Sequence, residues 1–118
     1  MQVESFNIDL TSEHPETMVA FYRDTLGLPP EEWGEGAFKV GGAALLISDH
    51  SETKGPTKEP QRVLINFFVE DLAAEKARLE TAGVRFVREP TREYWGGLIT
   101  TFLDPDGNYL QLIESRKG

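Results

Sequence analysis

An α+β fold built from two βαβββ repeats is what this 118-residue sequence predicts, and three observations carry that expectation. Apolar and polar residues alternate over residues 2–10 and again from Arg62 to Val69, each time just ahead of a helix-forming stretch. Both helical stretches stop at a glycine, Gly27 and Gly83. Near the end, Asp104-Pro105-Asp106-Gly107 separates two β-rich segments. Asp can bond back to the backbone, Pro presets φ and Gly supplies a positive φ, so this tetrapeptide reads as the turn of a hairpin.

In chain order, Phe6, Ile8 and Leu10 form one face of the first strand, and Ser5, Asn7 and Asp9 the other. Pro15 suits a first helical turn, Glu16 complements the positive end of the helix dipole, and Ser12 or His14 stands at the cap position. Met18, Val19, Phe21, Tyr22, Thr25 and Leu26 make the apolar face of that helix. Pro29-Pro30 forbids its continuation. Ala37–Val40 and Ala43–Ser48 then flank Gly41-Gly42, a pair that tolerates the φ values of a tight hairpin turn. Asp49 to Pro60 is polar and holds Gly55, Pro56 and Pro60, so it is expected to be a mobile connection, with the linker proper over 51–60.

The same order of elements follows again. Arg62 to Val69 is a strand, Asp71 caps a helix over Leu72 to Ala82, Val84 to Arg88 is a strand, and Tyr94 to Leu103 and Tyr109 to Glu114 form the final hairpin. Repeat one spans about 1–50 and repeat two about 61–116, within one domain of residues 1–118. The length suits a single domain, because it is too short for two independent cores of ordinary size.

Composition narrows the function classes. A formal charge of −8 opposes binding to nucleic acid or anionic membranes, while it permits a cationic ligand. With no cysteine, disulfides, thiol nucleophiles and thiolate-bound metals are excluded. No apolar run is long enough to span a bilayer, and Glu4, Asn7 and Asp9 interrupt any signal-like start, so a cytoplasmic location is expected.

Two stretches then carry a resemblance. Phe21-Tyr22-Arg23-Asp24-Thr25-Leu26-Gly27, together with Asp104-Pro105-Asp106-Gly107-Asn108, resembles the vicinal oxygen chelate superfamily of glyoxalases, fosfomycin and bleomycin resistance proteins and extradiol dioxygenases. The resemblance spans nearly the whole chain. It implies that the sheets of the two repeats curl into an open, cup-like barrel, and that the molecule is a homodimer. It also implies where a divalent metal would be held, by His, His and Glu on three strands. Those positions fall on Asn7, Leu64 and Gln111. Leu64 has no donor atom, and the two amides are neutral where a divalent ion requires anionic or imidazole ligands. No metal and no other cofactor is therefore expected. His14 and His50 fall at a helix start and a loop edge, where capping or surface roles outweigh ligation. Trp95-Gly96-Gly97 resembles a segment of the metal-free, bleomycin-resistance-like branch, and glycines beside a large aromatic would leave room for a ligand.

The candidate ligand-binding residues are Asn7, Asp9, Asn66, Trp95, Tyr109 and Gln111, with Trp33, Phe38 and Phe68 as aromatic neighbours on the cup face. Of these aromatics, Phe38 and Phe68 are expected to fill the barrel rather than contact a ligand. Asp9 has an ordinary reading too, as a hydrogen-bonded strand-end carboxylate. The leading expectation is a protein that binds a small organic molecule, cationic or aromatic, without chemistry. The alternative is a metal-dependent lyase, isomerase or dioxygenase of the same superfamily. No acid–base or nucleophile–base pair stands out, so no catalytic residue is assigned.

Overall fold

The structure, a computed structural model, describes residues 1–115. The chain divides into two compact units, Met1–Gly55 and the residues from Pro56 onward. The first holds β1 (Asn7–Thr11), α1 (Pro15–Ala20), β2 (Pro30–Glu31), β3 (Gly34–Val40) and β4 (Ala43–Ser48). The second holds β5 (Ile65–Phe68), α2 (Leu72–Thr81), β6 (Phe86–Arg92), β7 (Leu98–Leu103) and β8 (Tyr109–Glu114). Both units therefore read β-α-β-β-β, as the sequence predicts. No helix among the described residues is long and apolar enough to cross a membrane.

In the first unit the strand order is β1-β4-β3-β2, with β1 parallel to β4 and the remaining pairs antiparallel. Register sorts the side chains into two faces, because neighbouring partners in a sheet point the same way. Ile8, Leu45 and Phe38 share one face, against which Met18 of α1 and Tyr22 of the turn that follows it are fully buried. The rings of Tyr22 and Phe38 lie 6.4 Å apart at their centroids. Burying side chains of this size contributes about 1.5–3 kcal/mol each, so this helix–sheet seam is the core of the unit. Phe38 thus lies under the helix, not on the face expected to line a cup.

Pro15 occupies the first turn of α1, and His14 stands at its cap without a side-chain cap bond. Instead the His14 amide donates to the Ser12 hydroxyl at 2.9 Å. The helix widens into a π-helical turn over Phe21–Thr25, with the Leu26 amide donating to the Phe21 carbonyl at 2.9 Å. Gly27 follows with φ +76°, a conformation that costs an L side chain about 1–2 kcal/mol; Gly83 does the same after α2.

The second unit repeats the layout, in the order β5-β8-β7-β6 with β5 parallel to β8. Phe102, Leu110 and Leu112 are buried on the face that meets Leu72 and Leu79 of α2. Two carboxylates fix the start of α2: Asp71 accepts from the Ala74 amide and Glu114 of β8 accepts from the Leu72 amide, both at 3.0 Å. Lys76 runs its stem along the same seam and holds its ammonium 4.9 Å from the centre of the Phe86 ring.

Neither sheet closes. Each keeps two edge strands, β1 and β2 in one unit, β5 and β6 in the other, so strand pairing forms two four-stranded sheets and no closed barrel. Prolines account for part of this. Pro30 in β2 and Pro90 in β6 lack the N–H needed to extend a ladder, which confines both to edges. Element ends also move: β1 runs over Asn7–Thr11 rather than 2–10, and β6 over Phe86–Arg92 rather than Val84 to Arg88. β2, a strand of two residues, was not foreseen. Residues 49–60 are less free than a mobile connection. Thr53 bonds Thr11 through their hydroxyls at 2.8 Å, the Gly55 amide donates to Glu13 at 3.0 Å, and Thr57 bonds both the Asp106 carbonyl and the Asn108 side chain.

Candidate functional site

The face of each sheet away from its helix carries the candidate residues. In the first unit Asn7 of β1 pairs with Ala44 of β4, which pairs with Lys39 of β3. One row therefore reads amide, methyl, ammonium, with the two polar groups about two strand spacings, roughly 10 Å, apart. A depression of about 360 Å³ opens here, lined by Phe6, Asn7, Glu31, Trp33 and Lys39 around Gly41, Gly42 and Ala44. The exposed Gly41-Gly42 turn leaves its edge open, since a Cβ added at either glycine would meet nothing within 4 Å. Trp33 reaches it through an irregularity between β2 and β3, where the partner jumps from Phe38, opposite Pro30, to Gly34, opposite Glu31. Trp33 is 64% exposed and Phe6 63%, so two aromatic surfaces stand at the rim.

Asp9 lies on the same face, opposite Leu46. It accepts a hydrogen bond from the Ser48 hydroxyl at 2.7 Å, the ordinary strand-end role. It does not line the depression.

In the second unit Asn66, Gln111, Thr101 and Arg88 form a row across β5, β8, β7 and β6. Gln111 is buried, and its Nε2 donates to the Thr101 hydroxyl at 2.9 Å. Asn66 beside it is exposed. Arg88 is held by Glu93 at 2.8 Å. Tyr109 and Phe68 share this face. Phe68 is 67% exposed, so it fills no core and is free to contact a ligand. The charge-neutral amides at Asn66 and Gln111 are thus brought together as neighbours.

Trp95 is not brought to them. It sits in the loop joining β6 to β7, ahead of Leu98, whereas Tyr109 pairs with Leu103 at the other end of β7. Its ring lies against Gly97, where an added Cβ would come within 1.8 Å of the indole. The room expected beside the glycines is taken up by the Trp95 side chain itself.

The positions where the family resemblance would place metal ligands do not suit an ion. Leu64 just precedes β5 and has only carbon to offer, and Asn7 and Gln111 present neutral amides where an ion requires anionic or imidazole donors. Among the described residues, no three His, Cys, Asp or Glu side chains come together as a metal-holding group. Sequence reasoning missed Lys39 and Glu31. The signal for Lys39 was present, since the Gly41-Gly42 turn sets Lys39 opposite Ala44 and hence in line with Asn7.

Elsewhere, a depression of about 330 Å³ lies between α2 and the strands β6 and β7, walled by Leu72, Ala73, Pro90 and Leu98. Lys76 there is already paired with Glu80 at 3.0 Å. This hollow offers apolar contact with little to orient a ligand.

Comparison with known proteins agrees with the architecture. The sequence pattern of the Glyoxalase/Bleomycin resistance protein/Dioxygenase superfamily matches residues 6–112. YetH of Bacillus subtilis (strain 168), an uncharacterised protein, is 31% identical over 111 residues, covering 94% of this chain and 81% of its own. Lactoylglutathione lyase from Agrobacterium tumefaciens superposes with a TM-score of 0.72 at 23% identity, over 97% of this chain and 96% of that one. A glyoxalase/bleomycin resistance protein/dioxygenase from Nocardioides gives 0.74 at 19% identity, over 100% of this chain and 87% of the other. Both structures share the fold.

Proposed function

Because the chain belongs to the Glyoxalase/Bleomycin resistance protein/Dioxygenase superfamily, we propose that it uses the fold as a metal-independent binder of a small organic molecule on its open sheet faces. The observation that carries this reading is the donor chemistry at the three positions singled out by the resemblance. Asn7, Leu64 and Gln111 offer two neutral amides and a hydrocarbon, with the Gln111 side chain oriented by the bond from its Nε2 to Thr101. Amides beside exposed aromatic surface suit recognition of an organic solute, in which aromatic contact supplies buried area and the amides fix orientation. A cytoplasmic homodimer is part of the same proposal.

Chemistry requires more than these faces provide. Asp9 is bonded to Ser48, and Tyr109 has no base among its strand partners. The superfamily alternative, a metal-dependent lyase, isomerase or dioxygenase, would need ligands that these positions lack.

The test is a backbone-amide NMR screen of uniformly labelled protein against a library of small aromatic and cationic compounds, followed by thermal shift. Ligands that move the amides of Asn7, Asn66 or Gln111 and raise the melting temperature by several degrees near 100 times Kd, about 2.7 kcal/mol, are the expected result. A library that perturbs neither open face would overturn the reading.

A further inference from the structure

The depression on the first sheet has a more specific chemistry than its place in the fold requires. Its rim holds an ammonium, Lys39, a carboxylate, Glu31, and an amide, Asn7. Among the described residues none of these three side chains is engaged in a hydrogen bond or ion pair. Lys39 differs in this from Arg23, Arg62, Lys76, Arg78 and Arg88, which have carboxylate partners, and resembles Lys54, Lys58 and Arg85, which have none among the described residues. Opposite charges that stand around one hollow and leave each other unpaired are available to a ligand that carries both.

From this we infer that the first-unit depression is a subsite for a planar aromatic zwitterion: a ring bearing one anionic and one cationic group. The inference rests on the small-molecule reading above and names the ligand class. The ring lies against the exposed indole of Trp33 and the ring of Phe6, where stacking and apolar burial act together. Only the small methyl of Ala44 stands between Asn7 and Lys39 in the row, so no bulky side chain separates the two polar groups. The anionic group meets Lys39 and the amide N–H of Asn7, and the cationic group meets Glu31. The bare backbone of the Gly41-Gly42 turn lets the ligand approach closely at that edge.

The sequence holds two tryptophans, so a Trp95→Phe background leaves Trp33 as the sole indole reporter. The probes are 4-(aminomethyl)benzoate, benzoate and benzylamine at fixed low ionic strength, read by Trp33 quenching. The zwitterion is expected to bind about threefold or more tightly than either singly charged ring, the scale of a solvent-accessible ion pair. Lys39→Met should bring its affinity down to that of benzylamine, and Glu31→Gln down to that of benzoate. Lys39 is exposed and Glu31 half-buried, so melting curves serve as the check that each variant folds. Equal affinities for the three probes, no quenching of Trp33, or ratios unchanged in both variants would overturn the inference. If those results came with other organic compounds moving the amides of Asn7 or Gln111, only the inference would fail. If no compound perturbed either face, the binding reading would fail with it.

Discussion

Gln111 of β8 donates its side-chain amide to the hydroxyl of Thr101 on β7, at 2.9 Å, in the middle of the second sheet's open face. Both residues are buried. A buried amide without a partner carries its full desolvation cost, so this bond makes a polar residue tolerable at a position where the superfamily resemblance places a metal-binding carboxylate. Thr101→Val should therefore destabilise by about 1–3 kcal/mol, a drop of several degrees in melting temperature. The double variant Thr101→Val with Gln111→Leu should recover most of that loss, since it removes both polar partners. Urea titration of the two variants checks this; an unchanged Thr101→Val midpoint would show that the bond stabilises nothing.

Trp95 and Gly97 form a second dependent pair. An alanine methyl at Gly97 would collide with the indole, but the indole is the far end of a rotatable side chain on a loop. Gly97→Ala should therefore move Trp95 rather than unfold the sheet. The expected outcome is a red-shifted tryptophan emission with a stability change within about 0.5 kcal/mol, the ordinary range for a substitution that the surface absorbs. Unaltered emission would mean that the ring does not rest on Gly97.

Glu13 gives a pH dependence with a definite sign. The Gly55 amide donates to its carboxylate and holds its pKa below the ordinary glutamate value of 4.5. A folded-state pKa lowered in this way contributes stability that is complete above the ordinary carboxylate value and is lost as pH falls through the lowered one. The Gly55 amide proton shift should accordingly titrate with a midpoint below 4.5, and Glu13→Gln should abolish that titration. A midpoint at or above 4.5 would contradict the bond.

How much of this was legible depends on what each residue's chemistry constrains locally. Asp71 as a helix cap, the stops at Gly27 and Gly83, and the Asp104 turn follow from short-range backbone requirements, and all are present in the structure. Phe38 was misplaced because Ala37, Phe38 and Val40 are all apolar, so alternation does not say which face of β3 the helix will cover; pairing with Leu45 decides it. Glu31 and Trp33 join Asn7 only through the register jump between β2 and β3. No local propensity announces such a jump. The sequence reads Trp95 and Tyr109 as aromatics of one cup face, while strand direction sets them at opposite ends of β7.

Binding of an organic molecule on the open faces without a metal is separated from the metal-dependent alternative by the protein's response to divalent ions. Untagged protein should be purified without chelator, its metal content measured, and its melting temperature followed during titration with Mn²⁺, Fe²⁺, Co²⁺, Ni²⁺ and Zn²⁺. Asn7, Leu64 and Gln111 predict substoichiometric metal and no shift beyond that of a nonspecific divalent salt. Stoichiometric metal, or a rise of several degrees with one ion alone, would contradict the account and restore the metal-dependent reading.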